Sequence, residues 1–341
     1  MARKPPRSRE QRQTRWAQSM TPGTLGGRVA AAAPLSVDIT RLAARIRGAS
    51  LPPGETGFDP NADPIIIGQF ASASGGARGI AIGVSAEDNG SEAIAIGWFC
   101  TAGGADSVAL GPNCETSAID AVAVGSDAGA DGVSSVAIGD HARGWGDYGV
   151  AIGALAEATT GVSQAIAIGR IARALADESI AIGHDAKVNT GATGGVGLGQ
   201  GALSQGVQAI AIGQTSVASA DYTVAIGEAG ATALRATAVG DSSTAAGQFS
   251  TALGYGSDAE PDYATAIGTH AFVATAHTHS SAIGADAATT KANQVMLGTS
   301  SDFVEIPGNG ATNGIVFTDT ATSTRCLIQV TSGALVLNAA P

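Results

Sequence analysis

The sequence has few cysteines and few aromatic residues, and each shortage excludes a class of protein. Three cysteines in 341 residues cannot supply the disulfide framework of a small secreted domain. Aromatic residues make up only 4% of the chain, whereas hydrophobic residues make up 44% and there are 48 glycines. Such a composition is typical of a repetitive fibrous protein and not of a globular domain.

Residues that carry chemistry are scattered. Carboxylates stand singly in predicted loops, no Ser/His/Asp set is discernible, and the glycine-rich stretches belong to a repeat and not to a phosphate-binding loop. We therefore expect a protein that is not an enzyme and needs no cofactor. His277 and His279 are the one candidate metal pair, since three copies could meet on a threefold axis. An exposed bulge explains them more simply, so we predict no metal site.

One five-residue pattern recurs through most of the chain: a small residue, an aliphatic residue, alanine, a second aliphatic residue and glycine. The last glycine marks each repeat, and the spacing between markers is 13 to 16 residues. The 17 marker glycines are Gly68, Gly83, Gly97, Gly111, Gly125, Gly139, Gly153, Gly169, Gly183, Gly199, Gly213, Gly227, Gly240, Gly254, Gly268, Gly284 and Gly298. A recurrence of this kind predicts a solenoid.

Each repeat contains a strand with period 2. The aliphatic residues stand one and three positions before the marker, and alanine stands between them in 14 of 17 repeats, so the aliphatics share one face. A small residue three positions after the marker indicates a second, narrower strand, with the marker at a corner that requires positive φ. Cys100 and Cys114 occupy this small position in consecutive repeats. They are interpreted as buried alanine equivalents, with a bridge between them as the alternative.

The alanine column predicts self-association. If the two aliphatics form the core of each coil, the alanines point outward and form an unbroken wall of small residues. Such a wall allows close approach of an identical wall, so we predict a homo-oligomer packed through it. The predicted interface residues are Ala81, Ala95, Ala109, Ala123, Ala137, Ala151, Ala167, Ala181, Ala211 and Ala225.

Two repeats show a family resemblance. Ser135-Val136-Ala137-Ile138-Gly139 and Ser107-Val108-Ala109-Leu110-Gly111 resemble the head repeats of trimeric autotransporter adhesins of the YadA type. The resemblance covers residues 64–298 and implies an all-β fold, a left-handed parallel β-roll, three copies of which form a homotrimeric rod. Sixteen intervals at about 4.8 Å predict a shaft of roughly 77 Å. The resemblance implies no particular binding site.

The segment before the repeats differs in charge. Residues 1–50 hold ten Lys/Arg against two Asp/Glu, a net of +8, and residues 51–341 hold 8 against 27, a net of −19. We interpret residues 1–35 as a basic attachment arm, without the apolar run of a signal peptide; a solvated tail is the alternative. The basic residues are Arg3, Lys4, Arg7, Arg9, Arg12 and Arg15. The pattern of residues 36–63 predicts a short helix from Ser36 through Arg47, followed by a proline-rich linker.

The repeat ends at Gly298, and residues 299–341 predict a small β module. Strands are expected at 302–306, 314–317, 325–330 and 334–337, the last two joined by a Ser332-Gly333 turn. The module resembles the small β endings of bacteriophage tail and fibre proteins, and its simplest role is to cap the open sheet edge. No pattern of a membrane anchor is found, so no membrane insertion is expected.

These features favour a trimeric structural fibre on the surface of a bacteriophage virion. Its arm would bind virion structural proteins, its shaft would be the β-roll, and its far part would face the host; nucleic acid is not an expected partner. A capsid or neck fibre or decoration protein is one alternative, and a bacterial surface adhesin is another.

One surface column suggests a ligand. The residue five positions before the marker is polar in most repeats, but five consecutive repeats carry Tyr222, Arg235, Phe249, Tyr263 and His279. Stacked at the repeat spacing, they would form an aromatic and cationic column about 19 Å long. Cross-strand stacking, or a groove sealed between protomers, is the simpler explanation of the column; a strip that binds host glycans is the other.

Overall fold

The computed structural model describes residues 64–75 and 78–302, together with the backbone of three later strands. These residues contain only β-strands as regular elements, 35 in all. Within this described part, no helix is long and apolar enough to cross a membrane. The predicted basic arm, helix and linker at residues 1–63 lie outside the described residues.

The first 32 strands wind into a parallel solenoid with two walls, which confirms the predicted all-β solenoid. A wide sheet contains 17 strands of three residues: Ile65–Ile67, Ile80–Ile82, Ile94–Ile96, Val108–Leu110, Val122–Val124, Val136–Ile138, Val150–Ile152, Ile166–Ile168, Ile180–Ile182, Val196–Leu198, Ile210–Ile212, Val224–Ile226, Thr237–Val239, Thr251–Leu253, Thr265–Ile267, Ser281–Ile283 and Val295–Leu297. A narrow sheet contains 15 strands of two residues: Ser72–Ala73, Glu87–Asp88, Thr101–Ala102, Glu115–Thr116, Gly129–Ala130, Arg143–Gly144, Glu157–Ala158, Arg173–Ala174, Lys187–Val188, Leu203–Ser204, Val217–Ala218, Gly230–Ala231, Thr244–Ala245, Asp258–Ala259 and Phe272–Val273.

Equivalent positions stack in register along the solenoid. Ala137, for example, pairs in parallel with Ala123 on one side and Ala151 on the other. The backbone hydrogen bonds therefore run between turns, as where the Gly139 N–H donates to the Val124 carbonyl at 2.8 Å. A single turn has no such partners, so the turns stabilise one another.

The marker glycines form the corner that the sequence predicts. Gly139 has φ +133°, a conformation that residues with a side chain rarely adopt. A Cβ on Gly139 would also lie 2.6 Å from the carbonyl carbon and oxygen of Gly153 in the next turn. Both the backbone conformation and the close stacking of the corners therefore require glycine.

The solenoid interior is lined by alanine, which reverses the predicted facing of the wide strand. Ala81, Ala95, Ala109, Ala123, Ala137, Ala151, Ala167, Ala181, Ala211 and Ala225 are all fully buried within a single chain. The prediction that these side chains form the interface between protomers is therefore wrong. A coil of about fourteen residues is too narrow for two rows of large side chains, and Val188 and Val273 are the largest side chains fully buried in the described part.

The aliphatic side chains on either side of these alanines point outward. Ile138 is 38% exposed and Leu110 is 42% exposed, and most of their equivalents are half-buried. Together they form two parallel columns on the outer face of the wide sheet, which we call the aliphatic strip. In four consecutive turns near the C-terminal end, Thr237, Thr251, Thr265 and Ser281 replace the aliphatic residue of one column.

Three further strands form a separate antiparallel sheet: β33 (Ile315–Asp319), β34 (Thr324–Thr331) and β35 (Ala334–Ala339). Thr331 pairs with Ala334, so β34 and β35 form the hairpin expected around Ser332-Gly333. Of the predicted strand at 302–306, residues 303–306 lie outside the described part.

Candidate functional site

The predicted surface column lies in the turn that leads into the wide sheet. Its members, Tyr222, Arg235, Phe249, Tyr263 and His279, all have φ between 57° and 59°. Each backbone N–H donates to a carbonyl of the preceding turn, as from Tyr263 to Gln248 at 2.8 Å. This left-handed conformation holds the backbone of every member in the same way, so the side chains stack along the rod.

The five side chains form one continuous stack, which we call the aromatic ladder. The guanidinium of Arg235 lies 5.4 Å from the ring centre of Tyr222 and 5.8 Å from that of Phe249. The Phe249 and Tyr263 rings are 5.2 Å apart and inclined by 4°, and the Tyr263 and His279 rings are 4.8 Å apart and inclined by 15°. The structure thus brings together all five residues that the sequence singles out.

Stacking decides what chemistry the aromatic ladder can offer. Because neighbouring rings and the guanidinium cover each other's faces, at most the outer faces of Tyr222 and His279 are open for stacking on a sugar ring. The rings still expose their edges, since Tyr263 is 52% exposed and Phe249 39% exposed. Tyrosine hydroxyls, the guanidinium and the imidazole can therefore offer hydrogen bonds, and the stacked pairs stabilise adjacent turns by about 0.5–1.5 kcal/mol each.

Hydroxyl groups accompany the aromatic ladder. Thr237, Thr251, Thr265 and Ser281 stand two residues after Arg235, Phe249, Tyr263 and His279 respectively, on the outer face of the wide sheet. The hydroxyl column therefore occupies four of the five turns that carry the ladder. This end of the rod presents a more polar surface than the turns before it.

Aspartates next to the ladder fix the turn from which it projects. Asp221 Oδ1 accepts a hydrogen bond from the Val207 N–H at 2.8 Å, and Asp262 Oδ1 accepts one from the Gln248 N–H at 2.8 Å. In each case the aspartate caps an amide in the preceding turn. Sequence reasoning missed this role, although aspartate recurs six residues before the marker at Asp147, Asp177, Asp221 and Asp262.

The two histidines of the candidate metal pair have different partners. His277 Nδ1 lies 2.8 Å from Thr289 Oγ1, whereas His279 stacks on Tyr263. Among the described residues, no group of three or more His, Cys, Asp or Glu side chains is arranged to hold a metal ion.

One carboxyl group lies inside the solenoid. Asp88 is fully buried, and neither carboxylate oxygen has a hydrogen-bond partner. The Gly90 N–H lies nearby but donates to the Ala102 carbonyl at 3.2 Å. Burial raises the pKa of the Asp88 carboxyl above its ordinary value, against a smaller opposing effect of the Gly90 amide. Asp88 fits because Gly79, which faces it across the coil, has no side chain.

The aliphatic strip is a second candidate site. It runs the length of the wide sheet, roughly 77 Å, with its columns about 7 Å apart. The area between the columns is thus on the order of 500 Å², at the upper end of what a soluble monomer exposes as one apolar patch. A patch of this size is typical of a surface that another protein covers.

The fold defines the chain as a parallel β-solenoid, and a comparison with known families identifies the repeat. The family model for the YadA head domain repeat (2 copies) matches residues 89–113, 117–142, 163–186, 204–227, 231–257 and 245–271. The chain therefore contains YadA head domain repeats, which confirms the resemblance.

Among solved structures, the collagen-binding domain of the Yersinia adhesin YadA is 20% identical to this chain. The match covers 77% of this chain and 96% of that chain, at a TM-score of 0.17. So low a TM-score carries no argument about the relative placement of the turns or about a ligand. A comparison with curated protein sequences finds no match.

Proposed function

We propose that the chain is the shaft-forming subunit of a homotrimeric, non-enzymatic fibre that attaches to a host surface. The aliphatic strip is the observation that carries this proposal, because a half-exposed apolar surface of this length needs a partner of equal length. A second copy of the same solenoid has the matching length and repeat. YadA head domain repeats support three copies and an adhesive role.

The proposed trimer packs through the aliphatic strip and not through the alanines. In a parallel trimer, equivalent turns of the three chains meet at the same height, so Ile138 of each copy approaches its two equivalents. Burial of the remaining apolar surface of every turn then contributes at about 25 cal/mol per Å². The sum over 17 turns gives the rod its cohesion, although each turn contributes little.

The fibre of a bacteriophage particle is our leading assignment, with the particle surface as its location. A basic segment at residues 1–35 suits attachment to acidic virion structural proteins, and a β module follows the rod. A fibre on the capsid or neck would use the same architecture. A bacterial surface adhesin is the second candidate, and the YadA head domain repeats fit it equally well.

Immunogold labelling with an antibody against the full chain distinguishes these candidates. Labelling of purified virions at tail, neck or capsid supports the phage fibre and places it. Labelling of uninfected bacterial cells, with unlabelled virions, assigns the chain as a bacterial adhesin.

Deletion of residues 1–47 tests the proposed attachment arm. It should abolish incorporation into virions while leaving a soluble trimer, because the solenoid supplies its own core. Incorporation at the wild-type level would show that the arm is dispensable.

The aromatic ladder is the proposed contact with the host, through hydrogen bonds from its exposed edges to glycan hydroxyls. Its test is the double change Phe249→Ala with Tyr263→Ala, read in a host-cell binding assay and in a thermal melt. Loss of binding by a trimer of unchanged melting temperature supports the contact. A lowered melting temperature with intact binding assigns the ladder to stability alone.

The chain offers a matched control for this test. Tyr148 occupies the same column, has φ 57° and is 58% exposed, but its neighbours in the column are Ser134 and Gln164. Tyr148→Ala removes a ring that is at least as exposed as those of Phe249 and Tyr263 but belongs to no aromatic stack. Equal loss of binding by this variant would contradict a contact localised to the ladder.

A further inference from the structure

Two cysteines meet inside the solenoid. Cys100 and Cys114 stand three residues after the marker glycines of consecutive turns, and both are at most 1% exposed. Their Sγ atoms are 2.9 Å apart. The parallel register of the narrow sheet places them there, since the adjoining residues Thr101 and Glu115 pair directly.

The geometry of this pair meets the requirements of a disulfide. Neighbouring strands lie about 4.8 Å apart, within the Cα separation of about 4.4–6.8 Å that disulfides span. Closing the sulfur separation of 2.9 Å to a covalent bond of about 2.05 Å requires a shift of about 0.9 Å. The Cys100 thiol also donates a hydrogen bond to the Ala109 carbonyl oxygen at 3.0 Å. Cys114 is thus the sulfur partner of Cys100 in this contact pair.

We propose that Cys100 and Cys114 form a disulfide inside the solenoid that joins two consecutive turns. A small-molecule or enzyme disulfide is the oxidant. The thiolate of one cysteine attacks this disulfide to give a mixed disulfide and release one thiol. The second cysteine then loses its proton and attacks the mixed disulfide, which releases the second thiol. Two protein thiols and one external disulfide thus become one protein disulfide and two external thiols.

Burial fixes when this reaction takes place. The hydrogen bond to Cys100 and the buried surroundings raise the pKa of the Cys114 thiol, so the attacking thiolate is scarce in the folded rod. Neither sulfur is accessible to a bulky oxidant after the turns have stacked. The disulfide therefore forms while this segment is still open, and stacking then protects it from reduction.

The consequence is a covalent staple between turns that are otherwise held by backbone hydrogen bonds and alanine contacts. The bond closes a loop from Cys100 to Cys114, whose length equals one repeat. It reduces the conformational entropy of the unfolded chain and prevents these two turns from separating or slipping in register. A fibre exposed to an oxidising exterior would keep this staple.

The test uses the full chain with Cys326→Ser, so that only two thiols remain. The protein is refolded with oxidised or with reduced glutathione, denatured, alkylated with iodoacetamide and cleaved before Asp106, which lies between the cysteines. After oxidation we expect two unalkylated peptides joined through Cys100 and Cys114, and a melting temperature above that of the reduced sample. Complete alkylation of both cysteines after oxidative refolding, or a bond between two chains, would overturn the proposal.

The control is Cys114→Ala in the same background. Alanine occupies this position in neighbouring turns, as Ala86 and Ala128, so the variant should fold. Its melting temperature should not depend on the glutathione redox state. If the variant shows the same difference between the oxidised and reduced samples, the stabilisation does not come from the staple.

Discussion

Two neighbouring residues provide the sharpest test of the wide sheet's facing. Ala137 and Ile138 share the strand Val136–Ile138, but Ala137 is fully buried and Ile138 is 38% exposed. Asparagine at position 137 would bury an amide without a partner, at about 1–3 kcal/mol. It would also overpack a close-packed interior, at about 1–3 kcal/mol. The two costs sum to roughly 2–6 kcal/mol, whereas Ile138→Asn loses at most about 1–2 kcal/mol of burial within one chain.

The two variants should therefore differ in kind. Ala137→Asn should melt at a lower temperature at every protein concentration, because the damage lies inside each protomer. Ile138→Asn should keep its β-sheet content but dissociate at concentrations where the wild-type protein is trimeric. Circular dichroism melts and sedimentation velocity, both over a concentration series, separate the two effects. Asp140→Asn, an exposed change in the next corner, is the control.

The opposite result would refute this assignment of the faces. A well-folded Ala137→Asn monomer, together with an Ile138→Asn trimer as stable as the wild type, would place the alanine column between protomers. A wild-type chain that sediments as a folded monomer at all concentrations would remove the reason for any interface on the aliphatic strip.

Three further changes test the solenoid interior and its corners. Asp88→Asn should stabilise the solenoid at neutral pH, because the pKa of the Asp88 carboxyl is raised in the folded protein and the native state therefore binds this proton more tightly than the unfolded chain does. The stability of the wild type should fall as the pH rises from the ordinary pKa of 3.8 through the raised pKa. Melting temperatures measured over this pH range should show that decrease in the wild type and not in the variant. Ile171→Asn should raise the free energy of unfolding, measured by denaturant titration, by about 1 kcal/mol. Ile171 has φ 64°, and Asn113 already occupies the equivalent turn position. Gly139→Ala should cost at least about 1–3 kcal/mol in the same assay, whereas Gly230→Ala, which meets no atom within 4 Å, should be close to neutral.

Much of the solenoid could be predicted because its restraints are local and repeat. The marker glycines, the period-2 strand and the small residue after the corner all appear in the sequence, and all are found in the fold. The facing of the strand could not be read in the same way, since alternation shows that Ala137 and Ile138 face opposite sides but not which side is inside. The cross-section of the coil decides that, and hydrophobicity alone suggests the reverse.

The left-handed turn positions at residues other than the marker glycines were not predicted, for a related reason. Asn113 and Asp127 suit positive φ, but Phe99 and Ile171 occupy the equivalent position, two residues after a marker, and conceal the pattern. The stacking of turns imposes this conformation on whichever residue stands there. The aromatic ladder was predicted as a column because it depends only on the repeat spacing, whereas the mutual covering of its faces depends on side-chain orientation.

Side chains that face each other across the interior of the coil compensate in volume, and this limits which substitutions each turn accepts. Thr116 Oγ1 donates to Ser107 Oγ at 2.8 Å, and a Cβ on Gly195 would lie 2.7 Å from Ser204 Oγ. Both pairs join the residue four before a marker to the residue five after it, so the narrow interior restricts the two together. The outer surface has no such restriction and can change from turn to turn. It does so where Thr251 and Thr265 replace aliphatic residues in the turns that carry the ladder. Apolar contact is reduced there while the stacked rings hold the turns together, so the C-terminal end can present polar groups to a partner without loosening the rod.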